Sequence, residues 1–178
     1  MIGVEINAEQ LRRRALELGA TDDIVRRAMR STAAKMQTYT RSRSARELGD
    51  ELKIKRSVVR RRIRLRPRKY NGASVDAPVW YGLNAVSLID LGAKKTRGGV
   101  RAMAGRYVPG AFIARGRSGT FQVFKRRGRE RLPLDRMRED ISENAERYLQ
   151  RMIDAAEYGQ RFIDIFAREI EWRMQKQN

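Results

Sequence analysis

The chain has 178 residues, of which 41% are hydrophobic and 34% charged, and its formal net charge is +19. That hydrophobic content excludes wholesale disorder, and the length suffices for one core. The sequence contains neither Cys nor His, which excludes disulfides, thiolate zinc sites and the commonest general base. No secretory leader or apolar run of roughly 18 residues is recognisable, so a cytoplasmic origin without membrane contact is expected.

The positive charge is concentrated in the middle of the chain. Residues 1–50 carry a net charge of +3, residues 51–134 carry +18, and residues 135–178 carry −2. Like charges at this density repel one another, so they favour an anionic partner or an outward-facing surface. From the charge alone, nucleic acid, acidic protein surfaces and anionic membranes are the candidate partners, and a solvated basic face is the alternative.

Helical patterns dominate the N-terminal part. Residues 2–6 alternate between apolar and polar types, which predicts a short strand, and Asn7 is a predicted N-cap. A first helix is predicted to follow and to end at Gly19. A second, longer helix is predicted to begin after Thr21 and to stop at Gly49.

The middle of the chain has a different pattern. Ser57 is predicted to cap a short helix, and residues 79–81 form a predicted buried strand. Residues 93–106 are basic and contain a Gly pair, which predicts a mobile loop. Residues 111–113 and 121–124 flank a turn and are predicted to pair as antiparallel strands.

A helical stripe returns after Pro133 and continues past Gly159, where a kink is expected. The sequence therefore predicts an α+β fold, with N-terminal helices and a long C-terminal helix around a small antiparallel sheet or partial barrel. One domain over 1–178 is expected to comprise a helical part (1–50), a basic β-rich core (51–134) and a C-terminal amphipathic helix (135–178).

Two basic stretches predict contact with an anionic partner. Residues 53–69 hold ten basic side chains and no acidic one, and the excess of Arg suits bidentate contacts with phosphate or carboxylate. The loop 93–106 likewise has no acidic residue. The candidate residues facing DNA or another anionic partner are Lys55, Arg56, Arg60, Arg61, Arg62, Arg64, Lys94, Lys95, Arg97 and Arg101.

A sequence-specific DNA-binding regulator is the main alternative. Residues 45–64 have the rhythm of a helix-turn-helix motif. The spacing between Gly49 and Val58 nevertheless predicts a turn several residues too long for that motif.

Catalysis is not expected. The acidic pairs Asp22–Asp23 and Glu139–Asp140 both fall in the first turn of a predicted helix, where backbone dipoles favour negative charge. No nucleotide-binding loop is recognisable. We therefore expect no enzymatic activity, metal, cofactor or small-molecule substrate, and metal-dependent phosphodiester cleavage is the third alternative.

An ordered set of segments resembles the lambda-type minor tail protein Z family of tailed phages. The set covers roughly residues 20–175, and its members are short. They are Lys55–Leu65, Ile89–Ala93, Pro109–Ile113, Gly119–Arg126 and Leu132–Leu134, followed by the amphipathic C-terminal helix. The chain departs from the family in being more compact between Pro67 and Val79.

The resemblance implies a non-enzymatic virion protein that completes the head-proximal end of the tail, at the neck between head and tail. It implies a homo-oligomeric ring, expected to be hexameric, that docks on tail-tube, terminator and neck proteins, with genomic DNA as a further possible partner in the channel. Assembly would take place in the host cytoplasm, and the roles of tail terminator and neck adaptor stay open. Residues predicted to pack subunits together are Phe112, Ile113, Phe162, Phe166 and Ile170.

Overall fold

A computed structural model of the protein describes residues 8–17, 19–71, 74–103 and 105–176. The helices within these ranges are α1 (Ala8–Glu17), α2 (Asp22–Leu52), α3 (Arg56–Arg61), α4 (Ser142–Asp154) and α5 (Ala156–Gln175). The strands are β1 (Ile63–Leu65), β2 (Lys69–Asn71), β3 (Ser74–Asp76), β4 (Val79–Tyr81), β5 (Val86–Ser87), β6 (Lys94–Thr96), β7 (Gly99–Arg101), β8 (Tyr107–Pro109), β9 (Ala111–Arg115), β10 (Phe121–Arg126), β11 (Leu134–Arg136) and β12 (Arg138–Glu139).

This arrangement confirms the predicted α+β class. The described strands form five small antiparallel sheets, namely β1–β4, β2–β3, β5–β12, β6–β7–β8 and β9–β10–β11. These sheets do not close into a barrel. The prediction of one small sheet is wrong in this respect, because the strands form five separate sheets. Strands of two to six residues, interrupted by Pro and Gly turns, are too short to build one continuous sheet.

The chain divides into two compact units. The first comprises residues 1–44, 63–81 and 149–178, and the second comprises residues 45–62 and 82–148. Each unit therefore draws on segments that are distant in sequence. The predicted strand over residues 2–6 and the predicted cap Asn7 lie outside the described residues.

The core of the first unit is apolar and helical. Its buried members come from α1, α2 and α5 and include Ala15, Ile24, Val25, Ala28, Met29, Met36, Tyr158, Phe162, Ile165, Phe166 and Ile170. Polar side chains of α2 are buried beside them, and the Thr40 hydroxyl hydrogen-bonds the Tyr158 hydroxyl at 2.5 Å. Burial raises the pKa of Tyr158 above its usual value of 10.0, although the hydrogen bond with Thr40 opposes that shift.

The first helix ends where the sequence predicted. Gly19 has φ +87°, a left-handed conformation that suits Gly, and Ala20 N–H donates to the Ala15 carbonyl at 3.0 Å.

The predicted end of α2 at Gly49 is wrong, because the helix continues to Leu52. Gly49 is buried, and a Cβ there would lie 3.1 Å from the Ile54 carbonyl oxygen. This Gly therefore permits close approach of the following turn rather than ending the helix. The left-handed residue after the helix is Lys53, with φ 53°.

In the second unit, the predicted pairing of residues 111–113 with 121–124 is confirmed as β9–β10. The predicted mobile loop 93–106 is wrong in part, because β6 and β7 form an antiparallel hairpin there. Gly99 permits the adjacent pairing of β7 with β8, since a Cβ would lie 2.2 Å from the Val108 carbonyl oxygen on β8.

The C-terminal region also differs from expectation. Residues from Leu134 extend as β11, because they pair with β10, and the helical part begins only at Ser142. The Asp140 carboxylate accepts hydrogen bonds from the Ser142 N–H and hydroxyl at that helix start. The break lies at the extended residue Ala155 (ψ 128°) rather than at Gly159, so two helices replace the predicted long one. None of the described helices is long and apolar enough to cross a membrane.

Candidate polyanion-binding surfaces

The predicted basic run 53–69 is divided between the two units at Arg62 and Ile63. In the second unit, α3 is anchored by the buried side chains of Val58 and Val59. Lys55, and not the predicted Ser57, occupies the N-cap position, without a side-chain cap. The exposed basic side chains of α3 and its N-cap are Lys55, Arg56, Arg60 and Arg61.

Arg62 has a structural role. Its Nη1 donates to the Gly82 carbonyl at 3.1 Å, the Asn84 carbonyl at 2.6 Å and Asn84 Oδ1 at 2.9 Å, and Nη2 donates to the Ala85 carbonyl at 3.3 Å. Burial lowers the pKa of Arg62, and neighbouring Arg61 adds to that effect while Asp90 opposes it. Because its N–H donors already bind oxygens of residues 82–85, Arg62 is not expected to face an anionic partner.

The β6–β7 hairpin carries the predicted cations of the second basic stretch. Lys94 lies directly opposite Arg101 in the antiparallel register, and both side chains are exposed. Within the described part of the chain, neither has an acidic ion-pair partner. The Arg101 guanidinium lies 5.8 Å from the Tyr107 ring centroid, so the ring orients it.

The hairpin and α3 approach each other at the turn that precedes β6. Arg61 Nη2 lies 3.7 Å from Asp90 Oδ1, and a Cβ at Gly92 would lie 4.0 Å from Lys55 Cε. The first basic stretch therefore contacts, within the second unit, the turn that leads into the second basic stretch. We call the set Lys55, Arg56, Arg60, Arg61, Lys94, Lys95, Arg97 and Arg101 the hairpin–α3 surface.

Arg106 lies in the same predicted basic loop but is engaged elsewhere. Its Nε lies 2.7 Å from Glu139 Oε1 in an ion pair, and its side chain is largely buried. It therefore stabilises the second unit instead of extending the hairpin–α3 surface.

Sequence reasoning did not single out two further basic turns. Arg115 lies over the exposed ring of Phe121, 5.1 Å from its centroid, and Arg117 follows in the same turn. The connection after β10 contains Arg129 and Arg131, which are exposed. Density of Arg around Gly-containing turns was the signal that could have indicated these residues.

One cation of the second turn is neutralised. Arg127 Nη2 donates to Asp135 Oδ1 at 2.7 Å. This hydrogen bond raises the pKa of Arg127 and lowers the pKa of Asp135. The pair is exposed, so its contribution to stability is small.

The first unit presents the other half of the basic run. Arg64, Arg66, Arg68 and Lys69 are exposed along β1 and the start of β2. Arg68 Nη1 donates to Gln37 Oε1 at 3.1 Å, and Arg68 Nε donates to the Tyr70 hydroxyl at 3.2 Å. Arg64 was predicted to face an anionic partner. The nearby Arg66 is also exposed, so we add it to the candidate anion-facing residues.

The residues predicted to pack subunits together have two different placements. Phe112 and Ile113 are half-buried on β9 of the second unit. Phe162, Phe166 and Ile170 are buried in the first unit's own core. The exposed apolar side chains of α5 are instead Ile163 and Trp172, with exposed fractions of 41% and 52%.

Asp22 and Asp23 lie in the first turn of α2, as predicted, and form ion pairs. The predicted helical placement of the second acidic pair is wrong, because Glu139 lies on β12 and Asp140 precedes α4. Asp22 accepts from Arg12 at 2.8 Å, and Asp23 accepts from Arg26 at 2.6 Å and from Arg27 at 2.7 Å. Among residues 8–17, 19–71, 74–103 and 105–176, no group of three or more acidic side chains is arranged to hold a metal ion.

Comparison with protein-family models, curated proteins and solved structures gives no match for this chain. The family assignment therefore rests on the sequence resemblance and remains a prediction. The structure shows surfaces of exposed basic residues, and such surfaces attract anions.

Proposed function

We propose that this chain is a structural protein of a tailed phage that completes the head-proximal end of the tail. It would act as one segment of a ring that docks on tail-tube and neck proteins. The observation that carries the proposal is the ordered resemblance over residues 55–65, 89–93, 109–113, 119–126 and 132–134. With the exception of residues 63–65, these segments all belong to the second unit.

Two structural features support this reading. The resembling segment at 109–113 contains the turn between β8 and β9, where Gly110 has φ +70°, and the segment at 119–126 begins with Gly119 at φ +75° and continues as β10. The hairpin–α3 surface gives the same unit a cationic face. Such a face is complementary in charge to an acidic protein surface or to the genome in the tail channel.

The test is to locate the protein in particles and to measure its assembly. Virions from cells that carry the gene are labelled on this chain and imaged by negative-stain microscopy, and the purified full chain is measured by light scattering. We expect label at the neck and a ring on isolated tails. Absence of the chain from mature particles would exclude the proposal.

A charge-matched pair of variants sharpens this test. Lys94→Glu with Arg101→Glu reverses two cations of the hairpin–α3 surface, and we expect reduced docking on isolated tails. Arg168→Glu with Lys176→Glu makes the same charge change on α5 and at its C-cap, where both side chains are exposed. Equal loss of docking in both variants would mean that net charge alone, and not this surface, drives the association.

One observation favours the regulator reading as a second candidate. Because α2 continues to Leu52, only residues 53–55 separate it from α3, and the turn is not as long as the sequence spacing predicted. Against this reading, α3 has six residues and spans only about 9 Å. Binding to a specific duplex that persists in excess competitor DNA would support a regulator, whereas the tail proposal predicts sequence-independent, salt-sensitive binding at most.

A further inference from the structure

A tryptophan in the first unit lies beside two arginines on one face of the β1–β4 ribbon. Trp80 is the register partner of Arg64. The guanidinium carbons of Arg64 and Arg66 lie 5.9 Å and 5.8 Å from the centroid of the Trp80 ring. Both arginines are exposed, and in the described ranges neither forms an ion pair.

Hydrogen bonds to α2 hold this ribbon in place. The Gln37 side chain is 2% exposed, and its Nε2 donates to the Arg66 carbonyl at 2.9 Å and to the Pro78 carbonyl at 3.0 Å. The Arg66 N–H also donates to the Pro78 carbonyl at 3.1 Å. A buried amide thus joins both strands of the ribbon to the helix, which fixes the backbone from which the two arginines project.

A second contact fixes the far end of β4. The Tyr81 hydroxyl donates to Ser44 Oγ at 3.0 Å, and burial raises the pKa of Tyr81 to about 12, although the hydrogen bond with Ser44 opposes that shift. The ribbon is therefore preorganised, so a ligand would not have to order it on binding.

The local charge is not balanced. The sequence has no acidic residue between Glu51 and Asp76. Asp76 is the register partner of Lys69 on the neighbouring β2–β3 pair. Within the described ranges, no carboxylate therefore neutralises the two arginines beside Trp80. Repulsion between their positive charges favours a bound anion.

The geometry suits a chain of regularly spaced anions. Residues two positions apart in extended backbone lie about 6.6 Å apart. Arg64 is on β1, and Arg66 follows directly after that strand, where its N–H still donates to the Pro78 carbonyl. A guanidinium that lies near an aromatic ring can still present N–H donors to phosphate oxygens. Basic grooves combined with aromatic side chains are typical of surfaces that follow a nucleic-acid strand.

We propose that the β1–β4 ribbon is a binding site for the phosphodiester backbone of nucleic acid. Arg64 and Arg66 contact neighbouring phosphates of one strand, and Trp80 positions the two guanidiniums. The site lies in the first unit and uses none of the hairpin–α3 surface. It stands whether or not the chain belongs to a phage tail.

The chain offers a local reporter for this site. Its two tryptophans are Trp80 and Trp172, so the full-length Trp172→Phe variant leaves Trp80 as the source of tryptophan fluorescence. We titrate that variant with a 20-nucleotide single strand, with a 20-base-pair duplex of unrelated sequence, and with polyglutamate. A saturable change in Trp80 emission with nucleic acid, several-fold weaker with polyglutamate, is expected.

Two variants in this background test the arginines. Arg64→Gln with Arg66→Gln is expected to weaken nucleic-acid affinity at least five-fold. It should also reduce the slope of log affinity against log salt by roughly 1.4 to 1.8, which corresponds to two lost phosphate contacts. Arg168→Gln with Lys176→Gln removes the same charge from α5 and its C-cap and should change both quantities much less.

Trp80→Phe supplies a separate test of positioning, measured by anisotropy of labelled DNA. Affinity should fall several-fold, while the salt slope stays constant because both phosphate contacts remain. Far-UV circular dichroism establishes that each variant is folded. The proposal is overturned by an unchanged Trp80 signal, by equal losses in the arginine variant and its α5 control, or by equal binding of polyglutamate.

Discussion

Lys94 and Arg101 are directly opposed in the register of the β6–β7 hairpin, although both are positively charged. Like charges in this position destabilise a strand pair by about 0.2–1 kcal/mol. Within the described residues, no carboxylate pairs with either side chain. The hairpin therefore sacrifices some stability in the free protein, and an anionic partner would relieve the repulsion.

The first prediction concerns this opposed pair. Lys94→Glu should raise the free energy of unfolding by roughly 0.5 kcal/mol, because it converts repulsion into attraction and leaves Arg101 beside Tyr107. It should also weaken binding to heparin. Urea denaturation and heparin chromatography measure the two effects, with Arg168→Glu as control. A variant that is less stable and binds heparin unchanged would contradict this account.

A second prediction follows from a carboxylate in the helical core. Glu169 is 7% exposed and accepts hydrogen bonds from Lys35 and Arg173. Burial by itself would raise its pKa, but the hydrogen bonds from Lys35 and Arg173 outweigh it, so the pKa is lowered from 4.5. The stability that this carboxylate contributes is present above pH 4.5 and is lost as the pH falls through its lower folded-state pKa.

Glu169→Gln should therefore be less stable than the parent at pH 7, by about 1–2 kcal/mol. The difference between the two proteins should shrink as the pH falls below 4.5, because the carboxyl group of the unfolded parent is protonated at a higher pH than that of the folded parent. Urea denaturation at a series of pH values measures this. A constant difference across that range would show that Glu169 does not act through its charge.

The third prediction separates core from surface on α5. Phe162 is 6% exposed and its neighbour Ile163 is 41% exposed. Phe162→Ala should lower the free energy of unfolding by about 3–5 kcal/mol, whereas Ile163→Ala should lower it by less than about 1 kcal/mol. Thermal and urea denaturation test both. If both substitutions lowered the free energy of unfolding by a similarly small amount, Phe162 would not be a core residue, and its predicted role as a subunit contact would be favoured.

A fourth prediction concerns the close contact between β7 and β8. Gly99→Ala places a Cβ within 2.2 Å of the Val108 carbonyl oxygen, a backbone atom that cannot rotate away. We expect the substitution to lower the free energy of unfolding by about 1–3 kcal/mol. Gly128→Ala is the control, because its Cβ would meet no atom within 4 Å, and its effect should stay within about 0.5 kcal/mol. Amide hydrogen exchange of the hairpin would report local opening in the Gly99 variant.

Local patterns in the sequence determined the fold class and several element boundaries. The end of α1 at Gly19 and the pairing of β9 with β10 were predictable, because helix caps and short turns depend on residues within a few positions of each other. The concentration of charge between residues 51 and 134 is a property of composition alone. The continuation of α2 past Gly49 and the β6–β7 hairpin were not predicted, because each depends on a Gly that allows close backbone approach: Gly49 to the Ile54 carbonyl oxygen and Gly99 to the Val108 carbonyl oxygen.

The tertiary structure decided which of the predicted basic and apolar residues remain exposed. Arg62 lies within an uninterrupted basic run, yet its guanidinium is bound by carbonyl oxygens more than twenty positions away along the chain, whereas Arg64 is exposed beside Trp80. Phe162 and Ile163 are adjacent in sequence, and only the packing of α1, α2 and α5 makes one of them core. Periodicity gives the face of an element, but burial and ion pairing depend on which distant residues meet that face.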